Sequence, residues 1–293
     1  MKYISTRGQA EKADFATMLL NGLAPDKGLY IPEDIPSLSA QQIRALRGKN
    51  YSEIAKEIIW PFVEGAMERP AFNKMIEQAY SSFEHPAICP LVQIGESEFV
   101  LELFHGPTLA FKDVAMQLLS RFINHFLEKQ GKRAAILGAT SGDTGSAAIQ
   151  AFKEQQNTEV FILFPKGRVS CVQQAQITRS GSNNIHPIAL EGNFDDCQNL
   201  VKNVFADTVF RQSIMVSGVN SINWARICAQ IVYYFTAALS LGAPDRPVVF
   251  SVPTGNFGDI FAGFIAAKMG LPIAKLIIAT NENDILVRAL NNG

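Results

Sequence analysis

Four cysteines, two tryptophans and four histidines are all that 293 residues hold of these types. Cys89, Cys171, Cys197 and Cys228 stand far apart, with no short metal-type spacing and no His/Cys/Asp cluster beside them. That spacing argues against a bound metal and fits free thiols in a reducing cytoplasm. Charge of one sign is not in excess, since 26 Lys and Arg oppose 27 Asp and Glu. A nucleic-acid surface, whose footprint is a basic surplus, gets no support. Long apolar runs are lacking too. The longest, Ile227 to Leu241, is interrupted by Gln230, two tyrosines, Thr236 and Ser240, and reads as a core helix rather than a membrane span. No cationic segment followed by an apolar run opens the chain, so a cytoplasmic protein with no membrane partner is expected. No repeat of fixed period is present either.

What is present is an alternation. Residues 1–90 begin with a short extended piece at Tyr3-Ile4-Ser5 and a turn at Pro25-Asp26-Lys27-Gly28, and continue with helical spacing over 39–46, 51–61 and 70–80. From Val92 onward, predicted strands over 98–104, 133–138, 159–165, 184–190, 246–252 and 274–280 alternate with helices. Those helices are predicted over 113–129, 144–155, 169–180, 194–207, 223–241 and 259–269, and one more follows the last strand. Short apolar strands joined by crossover helices imply an α/β fold with parallel sheets. The expected organisation is a mainly helical region over 1–90, an α/β domain over 91–216 and part of a second α/β domain over 217–293. The division falls in the polar, glycine-containing stretch 213–220.

Three loops and one helix start carry the chemistry. In Phe104-His105-Gly106-Pro107-Thr108-Leu109-Ala110-Phe111-Lys112-Asp113 a lysine follows an apolar lead-in and sits at the mouth of a predicted helix. Desolvation and the positive end of the helix dipole both disfavour its charge, which leaves a nucleophilic amine. An ordinary solvated lysine in a first helical turn is the alternative. Thr140-Ser141-Gly142-Asp143-Thr144-Gly145 follows a strand directly. Helix capping accounts for part of it, but six small polar or glycine residues in a row exceed a cap and suit a carboxylate. Thr254-Gly255-Asn256-Phe257-Gly258-Asp259 also joins strand to helix, and its amides suit a phosphate monoester. It matches neither GxGxxG nor GxxxxGK[ST], which speaks against a dinucleotide or nucleoside triphosphate.

Ser221, Asn223 and Arg226 open the long apolar helix. An arginine at the positive end of a helix needs an anionic partner, either a carboxylate of this chain or a substrate phosphate. The residues alone leave both open. Arg7 and Lys166 are weaker candidates for the same anion. His85, His125 and His186 are read as structural, while His105 either touches the site or orders its loop. An amine joined to a phosphate cradle is what an aldehyde cofactor bearing a phosphate requires, so the chain is read as pyridoxal-phosphate dependent.

With these motifs in view, the chain resembles the threonine synthase family of fold-type II pyridoxal-phosphate enzymes, which share the tryptophan synthase β-like architecture. The resemblance is carried by Tyr3-Ile4-Ser5-Thr6-Arg7-Gly8, Asp26-Lys27-Gly28-Leu29-Tyr30-Ile31-Pro32, His105-Gly106-Pro107-Thr108 with Phe111-Lys112-Asp113, and the segments 141–145, 220–226 and 255–259. These lie in order along the whole chain. The resemblance implies that Lys112 is joined to pyridoxal 5'-phosphate and that Gly255, Asn256, Phe257, Gly258 and Asp259 hold its phosphate. Thr140, Ser141 and Thr144 would then hold a substrate carboxylate, with Ser221, Asn223 and Arg226 also on the substrate. Asp143 falls where related enzymes have asparagine near the cofactor's phenolic oxygen, so its carboxylate must share a proton or meet a cation.

The implied reaction turns O-phospho-L-homoserine and water into L-threonine and phosphate, in a monomer or homodimer. A phospho-lyase giving a 2-oxo acid, and an inactive truncated relative that only binds ligand or partners, are the alternatives. Family members usually continue well beyond position 293. A C-terminal part of the family fold, with the hydroxyl residue that faces the pyridine nitrogen, is therefore expected to be absent.

Overall fold

Described for all residues except 154, 208, 211–213, 219–222 and 293, the computed structural model starts with a two-stranded antiparallel ribbon. β1 (Tyr3–Ser5) pairs with β2 (Tyr30–Pro32), and α1 (Phe15–Asn21) lies between them in sequence. The sequence pattern did not announce α1. Its start is set by Asp14, whose carboxylate accepts the Thr17 N–H at 2.8 Å, and its core face is Phe15, Met18, Leu19 and Leu20. Seven residues are too short to show a helical period. α2 (Ala40–Arg44), α3 (Tyr51–Val63) and α4 (Arg69–Tyr80) follow close to their expected positions. Asn50 and Glu53 cap α3 reciprocally, and Ile54, Ile58, Ile59 and Phe62 form its buried face.

The stretch 98–104, expected as a strand of the parallel alternation, is instead the second arm of a hairpin. β3 (Leu91–Gln93) and β4 (Phe99–Leu101) pair antiparallel, closed where the Ile94 and Gly95 amides both donate to the Glu98 carbonyl. A link this short permits only antiparallel return. After α5 (Lys112–Gln130) the central sheet begins with β5 (Ala134–Ala139). It continues through α6 (Asp143–Phe152), β6 (Thr158–Pro165), α7 (Cys171–Thr178), β7 (Ile185–Leu190), α8 (Phe194–Ala206) and β8 (Val216–Gly218). The strand order is β7-β6-β5-β8, all parallel. β8 lies in the stretch read as a domain division. It pairs with β5, so the first sheet runs to Gly218, two residues past the expected boundary at 216.

α9 (Trp224–Ser240) is the spine of the molecule. Nearly every side chain from Trp224 to Leu239 is buried, against α3, α5 and α10 (Phe257–Lys268). β9 (Val248–Val252) and β10 (Ile273–Ile278) form a second parallel pair around α10, and α11 (Ile285–Asn292) follows. The N-terminal region is tied to the start of α9. The Asn223 side-chain amide donates to the Leu19 carbonyl at 2.8 Å, and Ser217 Oγ donates to the Leu20 carbonyl at 3.1 Å. No helix among the described residues is long and apolar enough to cross a membrane, and none holds a metal-type cluster of His, Cys, Asp and Glu.

Candidate active site

Lys112 is the first residue of α5, and Asp113 behind it shapes the loop that delivers it. The Asp113 carboxylate is fully buried and accepts the Thr108 N–H at 2.7 Å and the Thr108 hydroxyl at 2.8 Å. Gly106 packs so closely that a Cβ there would lie 2.5 Å from Asp113 Cβ. Leu109 takes a left-handed conformation (φ 59°) at the loop tip. The result is a lysine side chain that is 18% exposed, its Nζ 3.5 Å from Asp143 Oδ2 and 4.6 Å from the centre of the Phe111 ring. Burial pushes the amine below the ordinary lysine range; Asp143 opposes this and Arg226 adds to it. An amine so placed is neutral more often than a surface lysine and is the better nucleophile.

Of the two outcomes open to a carboxylate at position 143, sharing a proton or meeting a cation, the structure has Asp143 beside the Lys112 amine. Its other oxygen accepts from the Gln173 side chain at 2.7 Å. The surrounding loop divides its labour differently from the sequence reading. Thr140 is buried, and its hydroxyl bonds to the Gly142 carbonyl and accepts the Gly142 and Gly145 amides at 3.0 and 2.9 Å. That hydroxyl is used to build the loop and is not turned toward a ligand. Ser141 is exposed and Thr144 half-buried at the loop surface. Gly142, the N-cap residue of α6, has no side chain to cap with, and Thr140 takes the Gly145 amide, which leaves the Asp143 and Thr144 amides to face an anion.

Arg226 is a buried cation at the start of α9. It is 2% exposed, and neither Nε nor Nη1 has a hydrogen-bond partner. Burial lowers its pKa to about 10, with Tyr233 opposing. Leaving buried polar groups of this kind unsatisfied costs about 1–3 kcal/mol each. Of the two partners open to it from sequence, a carboxylate of this chain is not what the described residues supply. Asn223 caps α9 through the Ala225 N–H at 3.0 Å and spends its amide on Leu19, so its side chain is structural. Ser221 lies outside the described residues.

The third loop is open. A Cβ on Gly255 would meet nothing within 4 Å, and Asn256 leaves the start of α10 without a side-chain cap. Gly255, Asn256 and Phe257 are exposed and Gly258 is half-buried. Asp259 differs from these neighbours. Its carboxylate is buried and accepts from the Tyr233 hydroxyl at 2.5 Å, the Tyr234 hydroxyl at 3.1 Å and the Thr254 hydroxyl at 3.3 Å. Burial raises its pKa against the pull of those three donors. Asp259 anchors the loop from beneath, with no oxygen aimed at a phosphate. Tyr233→Phe is expected to lower the unfolding free energy by about 1–3 kcal/mol, because one donor to a buried carboxyl is lost. Urea unfolding checks this, and an unchanged midpoint contradicts it.

Other candidates resolve simply. Lys166 pairs with Glu191 at 2.5 Å on the surface, and Arg7 is exposed. His105 Nε2 lies 2.7 Å from Glu102 Oε2 and packs against His85, which makes it a loop-ordering residue. The roles of Asp113, Tyr233, Tyr234, Gln173 and Gln176 were not seen in sequence. For Tyr233 and Tyr234 the one prior signal was a polar group inside an otherwise apolar helix.

A desolvated amine, two helix starts without a cap from their N-cap side chain and a buried guanidinium with two unbonded nitrogens suit a phosphorylated aldehyde cofactor and an anionic substrate. The fold and these residues fit the pyridoxal-phosphate class. Residues 2–80 match the family described as "Threonine synthase N terminus", and residues 90–293 match "Pyridoxal-phosphate dependent enzyme". The chain is 56% identical over 291 residues to the threonine synthase of Pseudomonas aeruginosa. Among solved structures it superposes on the pyridoxal-phosphate-bound threonine synthase of Brucella melitensis with a TM-score of 0.97 at 62% identity. On the Escherichia coli threonine synthase the TM-score is 0.87 at 36% identity, covering all of this chain and 67% of that one. The chain belongs to the threonine synthase family of fold-type II pyridoxal-phosphate-dependent enzymes. It spans 62% of the length of the Pseudomonas relative and 63% of the Brucella chain.

Proposed function

We propose that the protein converts O-phospho-L-homoserine and water to L-threonine and phosphate in the cytoplasm, with Lys112 as the reacting amine. The observation that carries this is the buried Arg226 guanidinium, its Nε and Nη1 without a hydrogen-bond partner, in the electrostatic neighbourhood of the Lys112 amine. A substrate with a carboxylate at one end and a phosphate at the other matches two anion receptors flanking one amine. The four free cysteines fit the compartment.

Lys112 would hold the cofactor aldehyde, and the amides of Gly255, Asn256, Phe257 and Gly258 at the start of α10 would take its phosphate. Bound there, pyridoxal phosphate supplies an electron sink that acidifies the carbon bearing the substrate amine and, by conjugation, the next one. The protein's part is placement and proton transfer. Ser141, Thr144 and the open amides at the start of α6 take the substrate carboxylate, and Arg226 takes its phosphate as a planar fork. Lys112, once free, accepts the proton from Cα, and Asp143 steadies the resulting ammonium. Atoms balance: the C–O bond at Cγ breaks and releases phosphate, and water gives OH to Cβ and its other proton to the phosphate. One Cβ proton ends on Cγ, and the proton taken from Cα returns to Cα from Lys112. The domain arrangement fits this division, with the lysine and carboxylate loops on the first α/β unit and the phosphate loop on the second.

Proton and phosphorus NMR of the protein incubated with pyridoxal 5'-phosphate and O-phospho-L-homoserine tests the proposal. Threonine and inorganic phosphate in equal amounts are expected. A 2-oxo acid with ammonia, or no turnover, overturns it.

A further inference from the structure

α7 touches both loops that frame Lys112. From its first turn Gln173 donates to Asp143 Oδ1 at 2.7 Å, and from its last Gln176 donates to the Thr108 carbonyl at 3.2 Å, in the loop fixed by Asp113. The orientation of the Gln173 amide is determined. An ionised carboxylate only accepts, so Nε2 faces Asp143, and the Ser170 hydroxyl donates to Oε1 at 3.0 Å on the other side. Ser170 is itself fixed as the cap of α7, accepting the Gln173 N–H. Gly142 is shaped to this contact. A Cβ there would lie 2.3 Å from Gln173 Nε2, so the loop admits the glutamine amide only because residue 142 has no side chain.

We propose that Gln173 is a positioning residue, holding Asp143 so that its free oxygen faces the Lys112 amine. Asp143 is about half exposed, and its side-chain partner besides Gln173 among the described residues is the Lys112 amine itself. Without the amide, the carboxylate turns toward water and Lys112 loses its nearest opposite charge. The charged groups facing the amine are then Arg226 from α9 and Asp113 from its own helix, and the unfavourable Arg226 stands less opposed. The proposal rests on the reading of Lys112 as the reacting amine, but its test does not use turnover.

The rate at which acetic anhydride acylates Lys112 is followed against pH in the unloaded protein, with the Lys112 peptide read by mass spectrometry. Gln173→Met, which keeps the length of the side chain and removes its donor, is expected to lower the apparent pKa of Lys112. The expected shift is about 0.5 pH unit, the size of a partly exposed ion pair. Gln174→Leu, one residue along, leaves the profile where it is. In an Asp143→Asn background the same Gln173→Met change is expected to have no further effect, which a general loosening of α7 does not reproduce. If Gln173→Met fails to fold, Gln173→Asn, whose amide is too short to reach Asp143, replaces it. An unshifted profile, or an equal shift with Asp143 already neutralised, overturns the proposal. Failure of the proposed reaction with these shifts intact overturns the reaction and leaves the positioning role standing.

Discussion

Lys112→Ala is expected to abolish threonine formation, with a loss of at least about 1000-fold in kcat, because one side chain both holds the cofactor and moves the proton. Binding is expected to fall less. The amides at the start of α10 do not depend on the lysine, so pyridoxal 5'-phosphate still associates, but reversibly. Equilibrium dialysis with and without borohydride separates these outcomes. In the variant, borohydride fixes nothing that survives dialysis; in the parent it fixes the cofactor permanently. Turnover retained within tenfold of the parent removes Lys112 from the mechanism.

Arg226→Met is the second large effect, and its sign depends on what is bound. In the unloaded protein the guanidinium is buried with Nε and Nη1 unpaired. Replacing a buried, uncompensated charge by an apolar side chain of similar length is expected to stabilise the fold, by about 1–4 kcal/mol on the precedent of buried ion groups. Phosphate recognition moves the other way. Removing one partner of a buried charge-assisted pair costs about 2–5 kcal/mol, roughly 30-fold to several thousand-fold in affinity. Urea unfolding with and without inorganic phosphate reads both at once. The parent is stabilised by phosphate, while the variant starts higher and responds less, keeping only the contribution of the amides at the start of α10. A variant less stable than the parent in phosphate-free buffer shows that the guanidinium is already satisfied, and the assignment fails.

The sequence exposed this site unevenly, for physical reasons. Lys112 stood out as a candidate because an apolar run leading into a helix start constrains where a lysine can go, and the structure places it part-buried at the start of α5. The loop 255–258 stood out because a strand, glycines and a helix in succession leave amides open, and the structure has that helix start without a side-chain cap. Arg226 was visible as a problem, a cation at the wrong end of an apolar helix, with its partner undecided. The orientation of small polar side chains was not legible. Thr140, Asn223 and Asp259 each sit in a motif read from sequence as ligand-binding, and each spends its side chain on hydrogen bonds within the protein. Residue type fixes hydrogen-bonding capacity and leaves direction to the tertiary packing. Gln173 and Gln176 were hidden for the same reason, since nothing local to 171–178 tells which loops that helix lies against. β8 and α1 escaped because three and seven residues carry too little periodicity to register.

The central claim is that one amine, and no other, takes the cofactor. Incubation with pyridoxal 5'-phosphate, reduction with borohydride, digestion and mass spectrometry test it directly. The account predicts a single pyridoxyl adduct on the peptide containing Lys112. An adduct spread over exposed lysines such as Lys129 and Lys202, with the Lys112 peptide unmodified, contradicts it.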